Sequence, residues 1–73
     1  MKKIDFTIKD AEYIQLNQLL KITDVSHSGG LANEMISDGI ILYNGEIETR
    51  KRKKVFPGDT VSSDELQVEI VVT

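Results

Sequence analysis

Ile4, Phe6 and Ile8 alternate with Asp5, Thr7 and Lys9, the two-residue period of a short half-buried strand. Asp10 suits a turn, and beyond it the period changes. Tyr13 and Ile14 lead into Leu16, Leu19 and Leu20, spaced i, i+3, i+4 on one helical face, with Gln15, Asn17, Gln18 and Lys21 filling the other. A helix of about two turns is marginal alone in water and must be held by packing. Tyr13 reads as a core-edge residue. Ser26-His27-Ser28-Gly29-Gly30 then separates this helix from a second, whose stripe is Leu31, Ala32, Met35 and Ile36, with Asn33, Glu34, Ser37 and Asp38 outward. A serine here can accept from the first free N–H groups of that helix; Ser28 is the preferred cap and Ser26 the alternative. Gly39 follows the stripe, where a left-handed residue closes a helix at little cost.

The second half of the chain reads as strands and tight turns. Asn44-Gly45 lies between apolar runs, the residue pair a type I′ hairpin turn favours. A two-residue loop pairs Tyr43 with Glu46, Leu42 with Ile47, Ile41 with Glu48 and Ile40 with Thr49. With Leu42, Ile47, Ile40 and Thr49 taken as the core face, the same parity would turn Lys51 and Lys53 inward with Val55. Two unpaired lysines cannot be buried in so small a core. The chain is therefore expected to bulge or loop near residues 50–54, lifting its cations off the sheet on a mobile segment. Val55 and Phe56 are expected to return to the core, and Pro57-Gly58 marks another turn. Val61 opens a strand or its approach, and Leu66, Val68, Ile70 and Val72 alternate with Gln67, Glu69 and Val71 as a closing strand.

Length and composition narrow the function classes. With 73 residues the chain has room for one domain, 1–73, and buries only about 60% of its unfolded surface, so a deep substrate cavity is not expected. There is no cysteine, hence neither a disulfide nor a thiolate metal site, as suits a reducing cytoplasm. No apolar run approaches the roughly 18 residues of a spanning helix, and Met1-Lys2-Lys3-Ile4-Asp5 lacks the apolar stretch of a signal peptide. The expectation is a soluble cytoplasmic protein, monomeric and without a membrane partner.

The charge is segregated. Nine basic and twelve acidic residues give −3, but five of the nine bases are Arg50, Lys51, Arg52, Lys53 and Lys54, leaving −8 on the other 68 residues. Exposed charges more than about 8 Å apart are largely screened at physiological salt, so a phosphate at this run would feel the cations above the distant carboxylates. Catalysis finds no support. The lone His27 has no second histidine or cysteine with which to share a metal, and Glu46 and Glu48 read as solvated charges on an exposed sheet face. No G-x-x-x-x-G-K-[ST] or G-x-S-x-G motif is present. No enzyme activity or cofactor is expected. Gly29 and Gly30 each cost about 1 kcal/mol relative to alanine in a helix. Two readings remain open: they admit a backbone or anion to the helix N-terminus, or they ease a tight helix–helix turn. The basic run is either a solubilising loop or a polyanion site; a membrane-surface role would need an amphipathic basic helix, for which it has neither apolar interleaving nor room.

In their order along the chain, the serine-glycine turn, Asp38-Gly39-Ile40, Tyr43-Asn44-Gly45-Glu46, the basic run and Pro57-Gly58-Asp59-Thr60-Val61 resemble the S-four RNA-binding domain, named after ribosomal small-subunit protein four. The likeness extends to the small stand-alone bacterial proteins of the YaaA/YbcJ kind through Leu19-Leu20-Lys21, Ser28-Gly29-Gly30 and Glu48 to Lys54, and covers nearly the whole chain. The resemblance implies an α+β fold, two short helices packed on a small, strongly bent, mostly antiparallel sheet, the αL-motif fold. It further implies binding of structured RNA (ribosomal RNA, its precursor or tRNA) without catalysis, in ribosome assembly or translation. By position the implied contacts are Ser28, Gly29, Gly30, Asn33, Arg50, Lys51, Arg52, Lys53 and Lys54, with Lys21 weaker. The family usually carries a lysine where this chain has Asn33. The rival from another class is a protein-interaction adaptor that uses the acidic surface, or Leu66–Val72 as a sheet edge that accepts a partner strand.

Overall fold

The computed structural model describes residues 1–73. The elements run β1 (Lys2–Phe6), β2 (Ile14–Gln15), α1 (Leu16–Ile22), α2 (Gly29–Ser37), β3 (Leu42–Tyr43), β4 (Glu46–Ile47), β5 (Lys54–Val55), β6 (Thr60–Ser63) and β7 (Val68–Val72). Five strands form one sheet in the order β1-β7-β6-β3-β4, and β2 pairs with β5 in a second, two-stranded sheet. Only β1 and β7 run parallel; every other pairing is antiparallel. The expected α+β class, with two short helices and a mostly antiparallel sheet, is what the chain adopts.

Local chemistry explains the element ends. Ser28 caps α2, its Oγ accepting from Leu31 N–H at 3.1 Å. At the other end Gly39 has φ +76, and its N–H reaches Ile36 C=O at 3.1 Å while Ile40 N–H reaches Met35 C=O at 3.4 Å. This pair of bonds is the Schellman closure that a glycine at this place permits. Asn44 and Gly45 take φ values of 50 and 88, as a type I′ turn requires. The hairpin register is the expected one, Leu42 opposite Ile47 and Tyr43 opposite Glu46.

The core joins Leu16, Leu19 and Leu20 of α1 and Ala32 and Ile36 of α2 to Ile41, Val55, Val61, Ile70 and Val72. The α1 face is as expected; the hairpin faces are reversed. Directly paired residues share a face, and the row Ile4–Ile70–Val61–Tyr43 runs across β1, β7, β6 and β3. Val61 and Ile70 are buried, so Tyr43 must follow them inward and Leu42 lies with Ser62 on the other face. Ile41 is thus buried, Ile47 on the edge strand is 66% exposed, and Thr49 is exposed.

Three further expectations are corrected. Leu31 sits at the exposed rim of α2, Phe56 is 42% exposed, and Leu66 lies exposed in the turn before β7. The closing strand β7 is interior, hydrogen-bonded to β1 on one side and β6 on the other. It offers no free edge, so strand addition at Leu66–Val72 has no unpaired backbone to use.

Candidate nucleic-acid interface

After Ile47 the chain leaves the hairpin, and Glu48 decides how. Its N–H still reaches Ile41 C=O at 3.0 Å, and because it shares the core-side face its carboxylate is buried rather than solvated. Arg50 answers that charge: its backbone N–H, Nε and Nη2 donate to the Glu48 oxygens at 3.0, 2.9 and 3.0 Å. The Arg50 side-chain hydrogen bonds outweigh the burial that opposes the charge, and hold the Glu48 carboxyl down at about 2. Of the five cations, Arg50 is the one spent on an ion pair inside the chain.

The rest of the run is anchored rather than mobile. Lys53 C=O accepts from Leu16 N–H at 2.9 Å, and Lys51 C=O accepts from Asn17 N–H at 3.0 Å. These are the first N–H groups of α1, which lack intrahelical partners and have no side-chain cap. The loop backbone thus serves as the cap, while the side chains of Lys51 and Arg52 are exposed. Lys54 is not in the loop but in β5, paired with Gln15. Lys53 Nζ lies over the Tyr43 ring at 4.8 Å and Lys54 Nζ over the Tyr13 ring at 5.0 Å, within cation–π range. The aromatic faces hold two of the flexible stems in place.

At the start of α2, a β-carbon on Gly29 or Gly30 would meet nothing within 4 Å. No packing inside the chain requires a glycine at either position, and neither takes a left-handed φ, so the turn between the helices does not need them. Asn33, one turn further along α2, is half-buried rather than outward, and its Oδ1 accepts from Asn17 Nδ2 at 3.1 Å. Asn17 is therefore the joint of the site. Its backbone holds the basic loop, its side chain holds α2, and its own Oδ1 is buried without a hydrogen-bond partner. Sequence periodicity marks Asn17 only as a polar-face residue of α1; the residues it joins are 16 and more positions away. Lys21 is exposed one turn beyond Asn17, beside a separate hollow lined by Ile14, Gln18 and Ile22.

Asp59 fixes the other side of the loop. Its carboxylate accepts from Tyr43 Oη at 2.6 Å, Phe56 N–H at 2.8 Å and Asn44 Nδ2 at 3.1 Å. Burial opposes the Asp59 charge, but the bonds from Tyr43, Phe56 and Asn44 outweigh it and keep the carboxyl below its usual range. The same bond, with some burial, pushes the Tyr43 hydroxyl up to about 12. Tyr43 thus remains a neutral ring beneath Lys53 at any physiological pH. The Pro57-Gly58-Asp59 turn and the Asn44-Gly45 tip, separate motifs in the sequence, form one hydrogen-bonded unit.

The family model of the S4 domain matches residues 6–71. RlbA of Bacillus subtilis, named a probable ribosome maturation protein, is 42% identical over 52 residues, 71% of this chain and 73% of that one. YbcJ of Escherichia coli, named a putative RNA-binding protein, is 36% identical over 66 residues, 90% of this chain and 94% of its own. The solution structure of YbcJ, described as having an αL motif involved in RNA binding, matches with a TM-score of 0.67 over 92% of this chain and 85% of that one.

Proposed function

This chain belongs to the S4-domain family, and from that premise we propose that it is a non-enzymatic RNA-binding protein. It acts as a monomer in the cytoplasm, holding phosphates and sugars of a folded RNA (ribosomal RNA, a precursor or tRNA) in ribosome maturation or translation. The observation that carries the reading is the seam Lys51–Asn17–Asn33. It ties four cations that form no salt bridge to the start of α2, where Ser28 Oγ accepts from Leu31 N–H and keeps its own O–H to donate, and where a β-carbon on Gly29 or Gly30 would project into open space. Phosphate contacts position a nucleic acid without reading its sequence, and 2′-hydroxyl contacts distinguish RNA from DNA.

Crosslinking the chain in cells and sequencing the attached RNA tests the proposal. One class of folded RNA is expected, and partners that co-purify are lost on nuclease treatment. Partners retained after nuclease would point instead to a protein adaptor.

Gly30→Ala probes the helix start. Its φ is not in the left-handed region and its added methyl meets open space, so stability should hold or rise by about 0.4–1 kcal/mol. RNA affinity should fall nonetheless, because a β-carbon obstructs a phosphate approaching the free N–H groups, and the salt slope should stay unchanged. Unchanged affinity would remove the helix start from the site.

A further inference from the structure

We propose that the hollow beside the basic loop binds one unpaired nucleotide, its base stacked on Phe56 and its phosphate held by Arg52, Lys53 and Lys54. The proposal rests on the RNA-binding reading above and narrows it to RNAs that present a looped-out or single-stranded base. The hollow is open, about 410 Å³, and lined by Arg50, Arg52, Lys53, Lys54 and Phe56. That volume falls within the range of about 300–1,000 Å³ common for small-ligand sites.

Phe56 is the unexpected member. The residue before it, Val55, is fully buried, whereas Phe56 stays 42% exposed among cations. Its place is fixed from two sides. Its backbone N–H is bonded to Asp59, and its ring packs against Tyr13 at 5.8 Å with a 49° tilt. Tyr13 in turn carries Lys54 Nζ over its own ring. The result is an aromatic face, placed by these contacts and bordered by positive charge.

Each half of this arrangement alone would select a different ligand. A bare phosphate would be served by the cations without an aromatic ring. An apolar ligand would gain nothing from cations that repel one another around it. A nucleotide has both a π face and an anion, at the spacing of a single residue. A base within a duplex is stacked between its neighbours and cannot reach the ring, so the site discriminates by pairing state rather than by base identity. Base–aromatic stacking of this kind corresponds to roughly 5- to 150-fold in affinity per base.

The test compares a fluorescently labelled eight-nucleotide single-stranded RNA with the same strand annealed to its complement, by anisotropy. The proteins are wild type, Phe56→Leu, Phe56→Tyr and the double variant Lys51→Ala/Arg52→Ala, each with its melting temperature. Phe56→Leu is expected to weaken the single strand about tenfold and the duplex by less than about twofold, and Phe56→Tyr to retain wild-type affinity. Equal losses on both RNAs, no loss on either, or a Phe56→Tyr protein as weak as Phe56→Leu overturns the stacking site. If the double variant weakens neither RNA, the phosphate-binding reading fails instead. If it weakens both while Phe56→Leu changes nothing, only the stacking site falls.

Discussion

Alanine at both Lys51 and Arg52 should lower affinity for a folded RNA about twentyfold at 150 mM salt and make the dependence of log K on log salt shallower by about 1.5 to 2 units. Each phosphate neutralised releases about 0.7–0.9 counterion, so the four cations from Lys51 to Lys54 give the wild type a slope of about −3 to −4. Between 50 and 200 mM salt the wild type should accordingly lose about a hundredfold. Lys51 and Arg52 are the pair to remove because both side chains are exposed, whereas Lys53 rests on Tyr43 and Lys54 on Tyr13. The change should leave the melting temperature alone, since alanine keeps the Lys51 carbonyl that caps α1. Arg50→Ala makes the contrast. Its guanidinium is bound to Glu48, so that variant should lose stability and alter the slope by less than one unit. Titrations at four salt concentrations decide the matter. Equal slopes for wild type and the double variant would remove the loop from the interface.

Glu48→Gln should destabilise the fold by about 1–2 kcal/mol at pH 7, lowering the melting temperature by about 5–15 °C. Glutamine offers Arg50 one acceptor oxygen and turns an amide N–H₂ toward a guanidinium. The sign of the pH effect follows from the direction of the shift. The folded carboxyl lies at about 2 against an ordinary 4.5, so its contribution is complete above about pH 5 and is lost as pH falls through 2. The Arg50 side chain is 71% exposed, so water screens the pair and the loss stays within about 1–2 kcal/mol. Denaturant midpoints from pH 6.5 to 2.5 test this: the gap between wild type and Glu48→Gln should narrow as the medium becomes acid. Parallel curves would mean that Glu48 is not held in its charged form by Arg50. RNA affinity at neutral pH should not fall, because the four exposed cations remain and Arg50 is released from its carboxylate.

Local rules carried the sequence reading wherever one short segment contained the whole cause. The i, i+3, i+4 leucines face the core, Ser28 caps α2, Gly39 closes it, and Asn44-Gly45 sets a hairpin register. Each of these is decided within about four residues by φ, hydrogen-bond reach or periodicity. The resemblance carried the family for the same reason: its motifs are the local signals themselves, in order.

What the sequence left undecided depended on residues far apart in the chain. A two-residue turn fixes which hairpin residues are opposite one another but not which face is inside; that was settled by Val61, 18 positions beyond Tyr43, pairing with it in β6. The reversal buried Glu48, and its uncompensated charge drew in Arg50, so one of five apparently equivalent cations became structural. The chain does loop off the sheet after the hairpin, although the reversed faces remove the parity argument for it, and the N–H groups of Leu16 and Asn17 anchor the loop backbone. By itself the sequence determined the two helices, the hairpin, the terminal strands, the segregation of charge and the family, but not the small β2–β5 sheet. Only the tertiary structure decided which cations are free, which aromatic rings they border and that Asn17 joins the loop to α2, because buried charges and orphan helix N–H groups take partners through space.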